Sequence, residues 1–173
     1  MFAPLAWALR LITVPVRMVI DAMLPPRCPG CSEIVDGDDR FCPVCFAALQ
    51  YLGPPQCACC GVPLPHDGDA LALCGACLAE PPAFVSARAP LAYGGPARRV
   101  VLALKHGRQL HLARLMARAM LRAAGPLPAD AVIVPVPSHR WRLWRRGFNH
   151  AAVIAGHIAR QAGRPLLVDA MAR

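Results

Sequence analysis

Four Cys-x-x-Cys pairs between residues 28 and 77 are the feature that most constrains this 173-residue chain. The pairs are Cys28/Cys31, Cys42/Cys45, Cys57/Cys60 and Cys74/Cys77. Ten residues separate the first two pairs, and thirteen separate the last two. Two thiolates in one tight turn reach the same Zn²⁺ ion, and two such turns supply the four ligands of a tetrahedral site. The spacing therefore predicts two structural zinc ions in a tandem double ribbon.

Disulfide bonds and redox chemistry are the rival interpretations of these cysteines. The count of nine is odd and no cleavable signal peptide is recognised, which disfavours a secreted disulfide framework. A redox Cys-x-x-Cys is usually single and opens a helix after a strand. Cys59 is left over, either as a spare thiol or as a competitor of Cys60 for the metal. The spacing favours Cys60 as the partner of Cys57.

Charge divides the chain into an acidic and a basic half. Residues 1–90 hold five Arg against eight Asp and Glu, whereas residues 91–173 hold fourteen Lys and Arg against two Asp, a net charge of +12. Zinc-bound thiolates would make the first half more negative still. The basic half suits a phosphate-rich partner, either nucleic acid or a small phosphorylated substrate. A basic surface that serves solubility, or that docks on the acidic half, is the alternative.

Composition and turn signals predict three segments. Residues 1–24 are mostly apolar, with Arg10, Arg17 and Asp21 on one helical face, and predict an amphipathic N-terminal helix. We expect it to pack on the protein rather than lie on a membrane, and its charges interrupt the ~20 apolar residues that a membrane span needs. Residues 25–80 are predicted to form the double zinc ribbon, and Pro81-Pro82 marks the boundary to a unit at 81–173.

The segment 81–173 has the pattern of an α/β domain. A strand is predicted at Phe84–Tyr93, a buried strand of a parallel sheet is predicted at Ala131–Val136, and a further strand begins at Leu166. Helices are predicted at 97–105, 110–124 and 150–162, so the last strands form a β-α-β unit. In the helix at 110–124, the predicted core stripe is Leu112, Leu115, Met116, Ala119 and Met120, and the predicted solvent side is Arg114, Arg118 and Arg122.

A basic loop follows the strand at 131–136, at the edge where ligands bind in open α/β sheets. Its arginines are interleaved with two tryptophans, in the order Arg140, Trp141, Arg142, Trp144, Arg145, Arg146. Asn149 can cap the next helix, whose N-terminus is itself attractive to anions. Guanidinium groups suit phosphate, and the indoles could stack on a base or sugar. Alternatively, the tryptophans anchor the loop to the core and the arginines are only solvated.

Together these motifs resemble the ComF/GntX family, from about Leu24 to Val168. The resemblance rests on the tandem Cys₄ pairs, Leu104-Lys105 with Gly107, Pro135-Val136-Pro137, and Arg145-Arg146-Gly147-Phe148-Asn149. It implies a double zinc ribbon joined to a type I phosphoribosyltransferase-like α/β domain. It also implies a role in natural competence, with single-stranded DNA handled in the bacterial cytoplasm. Lys105, Arg145, Arg146 and Asn149 would then lie near a phosphate or pyrophosphate site. His150 stands where the family usually has glutamine.

The sequence departs from that family in the segment that would bind phosphoribosyl pyrophosphate. Such transferases use an acidic pair followed by a Thr-rich, Gly-containing loop, and Mg²⁺ would accompany this substrate in a complete protein. Here the only adjacent acidic pair is Asp38-Asp39, inside the first ribbon, and the only threonine is Thr13. We therefore expect an α/β domain that is C-terminally incomplete relative to the family, and a chain that does not catalyse phosphoribosyl transfer as written.

Three functions remain open at this level. The first is a ComF-like competence protein that binds a phosphorylated ligand or single-stranded DNA at the basic loop; its binding residues would be Lys105, Arg140, Arg142, Arg145, Arg146 and Asn149. The second is a phosphoribosyltransferase whose substrate-binding loop lies beyond this chain. The third is an adaptor, in which the zinc ribbons bind a protein of the competence machinery such as a helicase.

Overall fold

The computed structural model describes residues 25–65, 69, 71–107 and 109–171, without the side chains of Arg142 and Arg146. The predicted amphipathic helix at 1–24 lies outside the described residues. A first compact unit ends at Ala47, and a second begins at Ala48. The first ribbon therefore belongs to one unit, and the second ribbon belongs to the same unit as the segment from residue 81.

The first ribbon is built from turns and one short helix around its cysteines. Arg27 and Ile34 form a single antiparallel bridge, the chain turns at 36–39, and helix α1 spans Pro43–Ala47. Cys28, Cys42 and Cys45 are buried, and Val35 and Phe41 pack against them. The residues Asp36-Gly37-Asp38-Asp39 predict a turn between two short strands. The turn is observed, but the one bridge of this ribbon lies around Cys28 and Cys31 rather than across the turn. The ten residues between the cysteine pairs leave little chain for a ladder once the turn is made.

The second ribbon repeats this arrangement and is followed by a segment that bonds to it. Gln56 and Pro63 form the antiparallel bridge, and helix α2 spans Gly75–Ala79. The predicted strand at Phe84–Tyr93 is wrong over most of its length, because only Leu91 bridges, to Tyr51. Pro90 has no N–H to extend the ladder, and the N–H of Ala87 donates instead to the carbonyl of Cys59 at 2.7 Å.

Four further helices follow: α3 at Gly95–His106, α4 at Leu112–Ala124, α5 at Arg140–Arg146 and α6 at His150–Ala162. Pro96 in the first turn of α3 needs no hydrogen-bond acceptor there. Gly125 and Gly163 end α4 and α6 with φ of 71° and 62°, a region that glycine adopts without strain. The helices predicted at 97–105, 110–124 and 150–162 are thus confirmed. The basic segment, predicted as a loop, instead contains α5.

The core of the second unit lies between helices, where α4 packs against α6 and contacts α3. Leu104 and Leu112 are each 1% exposed. The buried residues of α4 and α6 are mostly small: Ala113 and Ala117 on α4, and Ala155 and Ala159 on α6. The predicted stripe on α4 is therefore partly wrong, since Met120 is 38% exposed, and Ala117 takes the buried place. Alanine lets the helix backbones approach closely, which a pattern weighted toward large residues does not detect.

A parallel bridge joins Ile133 to Leu166. Because α6 lies between these residues along the chain, the two bridged segments and α6 form the predicted β-α-β unit. The hydrogen bonds of the bridge run from Ile133 N to Pro165 O at 2.9 Å and from Leu167 N to Ile133 O at 3.0 Å. The strand at 131–136 is not buried as predicted, because Val132, Val134 and Val136 are exposed while Pro135 is buried. This alternation is typical of a strand covered on one face. Among the described residues only isolated bridges occur, and a phosphoribosyltransferase-like sheet is not confirmed.

Candidate metal centres and nucleic-acid interface

The structure groups eight cysteines into two clusters of four. The clusters are Cys28, Cys31, Cys42 and Cys45, and Cys57, Cys60, Cys74 and Cys77. Within each cluster the sulfur atoms all lie within 4.8 Å of one another. A tetrahedral site with Zn–S bonds of ~2.3 Å has sulfur–sulfur edges of about 3.8 Å. The Sγ–Sγ distances of 3.6 Å for Cys31–Cys42 and for Cys60–Cys74 fit this edge.

No disulfide forms among the nine cysteines, all of which lie in the described part of the chain. A disulfide requires an S–S distance of about 2.05 Å, far below the 3.6 Å contacts. Four soft sulfur donors without an open position are the ligand set of a structural zinc site rather than a catalytic one. Each cluster is therefore compatible with one structural zinc ion.

The two ribbons repeat at the level of single hydrogen bonds. Cys28 N donates to Glu33 O at 2.7 Å, and Cys57 N donates to Val62 O at 2.8 Å, an offset of 29 residues. From the second cysteine pair onward the offset is 32, as α1 and α2 show. The first cysteine of that pair also repeats its contact: Cys42 N donates to Cys28 Sγ, and Cys74 N donates to Cys57 Sγ, both at 3.3 Å.

The thiols within one cluster differ in pKa. Burial raises the pKa of Cys28, but N–H groups of Cys42, Gly30 and Cys31 outweigh it and lower the pKa to about 6. In the second cluster, the N–H of Cys74 is the largest cause that lowers the pKa of Cys57 to about 6. Burial raises the pKa of Cys45 to about 12 and also raises that of Cys77. A divalent cation would displace the protons of the remaining thiols and compensate the charge of the resulting thiolates.

Cys59 lies outside both clusters, although it shares a turn with Cys57 and Cys60. Its Sγ faces the carbonyl oxygen of Phe84 at 3.6 Å. The equivalent position in the first ribbon is Gly30, whose N–H donates to Cys28 Sγ at 3.4 Å. In the second ribbon the Cys59 N–H likewise lowers the pKa of Cys57. Cys59 therefore contributes its backbone to the centre, while its thiol points to the following segment.

Sequence reasoning missed Arg88, which binds the turn of the second cluster. Its guanidinium donates to the carbonyl oxygens of Ala58 and Ala87, both at 2.8 Å. Longer contacts reach the carbonyls of Cys57 at 3.5 Å and Cys59 at 3.4 Å. A signal was present, because Arg88 is the only charged residue between 81 and 97. A single arginine in an otherwise apolar segment indicates that its guanidinium has a specific hydrogen-bond acceptor.

The basic segment is shaped by caps at both ends of α5. The ring of His139 accepts a hydrogen bond from Trp141 N at 3.2 Å, and Gly147, with φ of 81°, donates to Leu143 O at 2.8 Å. Arg140 and Arg145 are exposed on this helix. The structure thus presents two of the predicted arginines to solvent; the side chains of Arg142 and Arg146 lie outside the description.

Trp141 and Trp144 do not anchor α5 to the core. They stack on each other with ring centroids 5.3 Å apart and planes inclined by 28°. Trp141 is 62% exposed and Trp144 is 77% exposed. Most of both indoles therefore faces solvent, and the anchoring alternative is wrong.

The side chain of Asn149 connects the two ends of the basic segment by hydrogen bonds. Its side-chain oxygen accepts from Ala151 N at 3.0 Å, and its side-chain nitrogen donates to Val136 O at 3.1 Å. One amide thus caps α6, as predicted, and also ties the cap to the end of the strand at 131–136. Lys105, by contrast, is half-buried in the last turn of α3, on a different helix from the arginines.

Comparison with known proteins identifies the N-terminal region. The family model of the double zinc ribbon domain matches residues 19–78, which include all eight clustered cysteines. No solved structure matches the chain significantly. Among the described residues, no helix combines the length and apolar character needed to cross a membrane.

Curated relatives match a longer part of the chain. DNA utilization protein YhgH of Salmonella typhi is 32% identical over 129 residues, which cover 71% of this chain and 55% of the relative. Its Escherichia coli K12 counterpart is 30% identical over 126 residues, covering 69% and 54%. Competence protein F of Haemophilus influenzae is 27% identical over 154 residues, covering 85% and 65%. The chain spans about half the length of the first of these relatives.

Proposed function

We propose that the chain acts in DNA utilisation. It belongs to the ComF-like family, and this membership is supported by its double zinc ribbon and by its relatives, whose sequence identity is modest. In this proposal it is a cytoplasmic, competence-related protein that binds single-stranded DNA through α5. Two zinc ions hold the ribbons and take no part in chemistry. Whether the site also admits a phosphorylated small molecule is decided by the competition experiment below.

The observation that carries this proposal is the exposure of Arg140 and Arg145 on a capped helix. Guanidinium groups are effective phosphate ligands because their donors form a planar fork. The Asn149 amide links the strand end at Val136 to the start of α6, so the intervening segment that carries α5 is tied at its base. Preorganised donors lose less conformational entropy on binding than donors on a free chain.

The distribution of charge favours the basic half of the chain, rather than the ribbons, as the part that binds DNA. Residues 25–80 hold two Arg against seven Asp and Glu, a net charge of −5. Each Zn²⁺ bound by four thiolates adds a further net charge of about −2. The ribbons therefore repel a polyanion, whereas residues 91–173, with a net charge of +12, attract it.

The test is binding of a fluorescent oligothymidylate to the zinc-loaded chain at several salt concentrations. Each phosphate contact on a single strand contributes about −0.7 to the slope of log affinity against log salt. Replacing Arg140 and Arg145 by Ala should therefore weaken binding and flatten the slope by about 1.4. The matched control replaces Arg118 and Arg122, which are exposed on α4, by Ala. Equal losses in both double variants would contradict a specific site on α5.

Phosphoribosyl pyrophosphate with Mg²⁺ serves as competitor in the same titration. If it displaces the oligonucleotide, the transferase-type alternative gains support and the site is a small-molecule pocket. If the oligonucleotide stays bound at saturating competitor, the nucleic-acid assignment stands. The Arg140/Arg145 variant must lose affinity for whichever ligand binds.

A second candidate function, the adaptor, is favoured by apolar side chains at matching positions of the two ribbons. Phe46 and Leu78, each four residues after a cluster cysteine, are 56% and 66% exposed. Replacing both by Ser should abolish binding of a purified competence helicase while zinc content stays unchanged. Undiminished helicase binding would exclude these two side chains as the adaptor contacts.

A further inference from the structure

We infer that the Trp141–Trp144 pair is a nucleobase-stacking platform that makes the DNA site selective for unpaired bases. This inference rests on the proposed function, because the arginines of α5 must first hold the phosphodiester chain. It adds a substrate class: single strands with exposed bases, in preference to duplex DNA or a base-free backbone.

The exposure of the pair is the first support. Aromatic side chains usually bury most of their surface, yet both indoles here are more than half exposed. They are three residues apart on a helix, which places them on one side. The stack of the two rings fixes their mutual orientation, with centroids 5.3 Å apart. The two rings together present one continuous aromatic surface.

Charge on the same side of α5 is the second support. Arg140 is four residues before Trp144, and Arg145 is four residues after Trp141, so each arginine neighbours one indole on the helix surface. Across the helix the order is Arg140, Trp144, Trp141, Arg145, and all four residues are exposed. Cations flanking aromatic rings match a nucleotide strand, whose phosphates lie beside its bases.

The separation of the rings determines how a base can bind. Bases in DNA repeat about every 3.4 Å, so a base inserted between two rings needs them about 7 Å apart. The observed 5.3 Å leaves no room for insertion. A base therefore extends the stack from an outer face, and Trp144, with 77% exposure, offers more free surface than Trp141.

The experiment compares three fluorescent ligands of equal length on the zinc-loaded chain: oligothymidylate, an abasic oligonucleotide and a duplex. Stacking on an aromatic side chain changes affinity by about 5- to 150-fold per base. We expect oligothymidylate to bind at least fivefold more tightly than the abasic strand. Trp144→Leu should remove most of this difference, Trp144→Phe should restore part of it, and Trp141→Leu should have a smaller effect. Tyr93→Leu, at a residue 67% exposed, is the aromatic control.

The possible failures are distinguishable. If no ligand binds, both the proposed function and this inference fail. If oligothymidylate and the abasic strand bind equally, the phosphate site stands and the base platform is overturned. The platform is also overturned if Trp144→Leu lowers abasic binding as much as oligothymidylate binding. If the tryptophan variants bind DNA as the wild type does but lose the helicase, the pair is a protein-docking surface instead.

Discussion

The guanidinium of Arg88 donates a 2.8 Å hydrogen bond to the carbonyl oxygen of Ala58, inside the turn that joins Cys57 to Cys60. The same turn directs N–H groups of Cys59 and Cys60 toward the sulfur of Cys57. The N–H groups of this turn therefore face the metal centre, and its carbonyl groups face Arg88. The first ribbon has a smaller counterpart, in which Arg27 donates to Ser32 O at 2.9 Å.

Arg88→Ala should destabilise the second ribbon. The variant removes the donor of one short, partly buried hydrogen bond, to Ala58 O, and a hydrogen bond from a charged donor contributes roughly 1.5–3 kcal/mol. We expect a loss of about 2 kcal/mol in the unfolding free energy of the zinc-loaded chain, measured with denaturant. Arg27→Ala, which removes one exposed bond, is the control and should cost less than about 1 kcal/mol. Equal effects would show that Arg88 has no special role.

Gly61→Ala should be more damaging than its position in a turn indicates. Gly61 has φ of +72°, and a Cβ there would lie 2.5 Å from the carbonyl oxygen of Ala87. The left-handed conformation alone costs an L-residue about 1–2 kcal/mol, and the backbone clash adds to it. The equivalent Ser32 has φ of 69° without glycine, so Ser32→Gly should stabilise the first ribbon slightly. Thermal unfolding of both variants would check this, and a tolerated Gly61→Ala would contradict the close approach.

Cys59→Ser and Cys60→Ser should differ in zinc content. The Cys60 sulfur is 3.6 Å from that of Cys74, whereas the Cys59 sulfur faces Phe84. Metal analysis of the purified chain should find two zinc ions per Cys59→Ser molecule and close to one in Cys60→Ser. The reverse result would assign Cys59 as the ligand. Cys31→Ser is the matching control, and it should lose the zinc of the first cluster only.

Replacing Asn149 should separate its two hydrogen bonds. Asn149→Ala loses the α6 cap and the bond to Val136, for a combined cost of about 2 kcal/mol. Asn149→Asp keeps an acceptor for Ala151 N but has no donor for the Val136 carbonyl. We therefore expect Asp to recover about 1 kcal/mol of the loss, measured by denaturant unfolding. If Asp is no better than Ala, the cap contributes nothing and the bond to Val136 accounts for the effect.

The grouping of the cysteines could be predicted because it depends on short spacings and on the chemistry of one ligand type. The ends of α3, α4 and α6 could also be predicted, since proline and glycine determine where a helix begins or ends through the conformation of a single turn. The predicted α4 stripe failed at Met120 because burial there is decided by α6, which is distant in sequence. Nothing within the sequence of α4 indicates that Ala117 is buried when the helix packs against α6.

Two other features depend on contacts that a linear pattern does not contain. The segment at 84–92 has the apolar composition of a strand, but its backbone bonds to the second ribbon and to residues 50–52 instead. The basic segment has no hydrophobic period, yet His139 and Gly147 supply the caps that make α5 a helix. Both capping residues are visible in the sequence, and the position of Gly147 after Arg146 could have indicated a helix end.

The offset between the two ribbons is 29 residues at the first cysteine pairs and 32 at the second, which has a consequence for how such chains diverge. Both centres close with the same sulfur contacts, although the sequences between their cysteine pairs have ten and thirteen residues. In the polymer description of loop closure, lengthening by that ratio costs only about 0.2 kcal/mol of closure entropy. Insertions and deletions between the cysteine pairs should therefore cost little, whereas a single inserted residue inside any Cys-x-x-Cys turn displaces a ligand. Relatives should vary in length at 35–41 and 64–73, after the bridges of Ile34 and Pro63, and keep the turns at constant length.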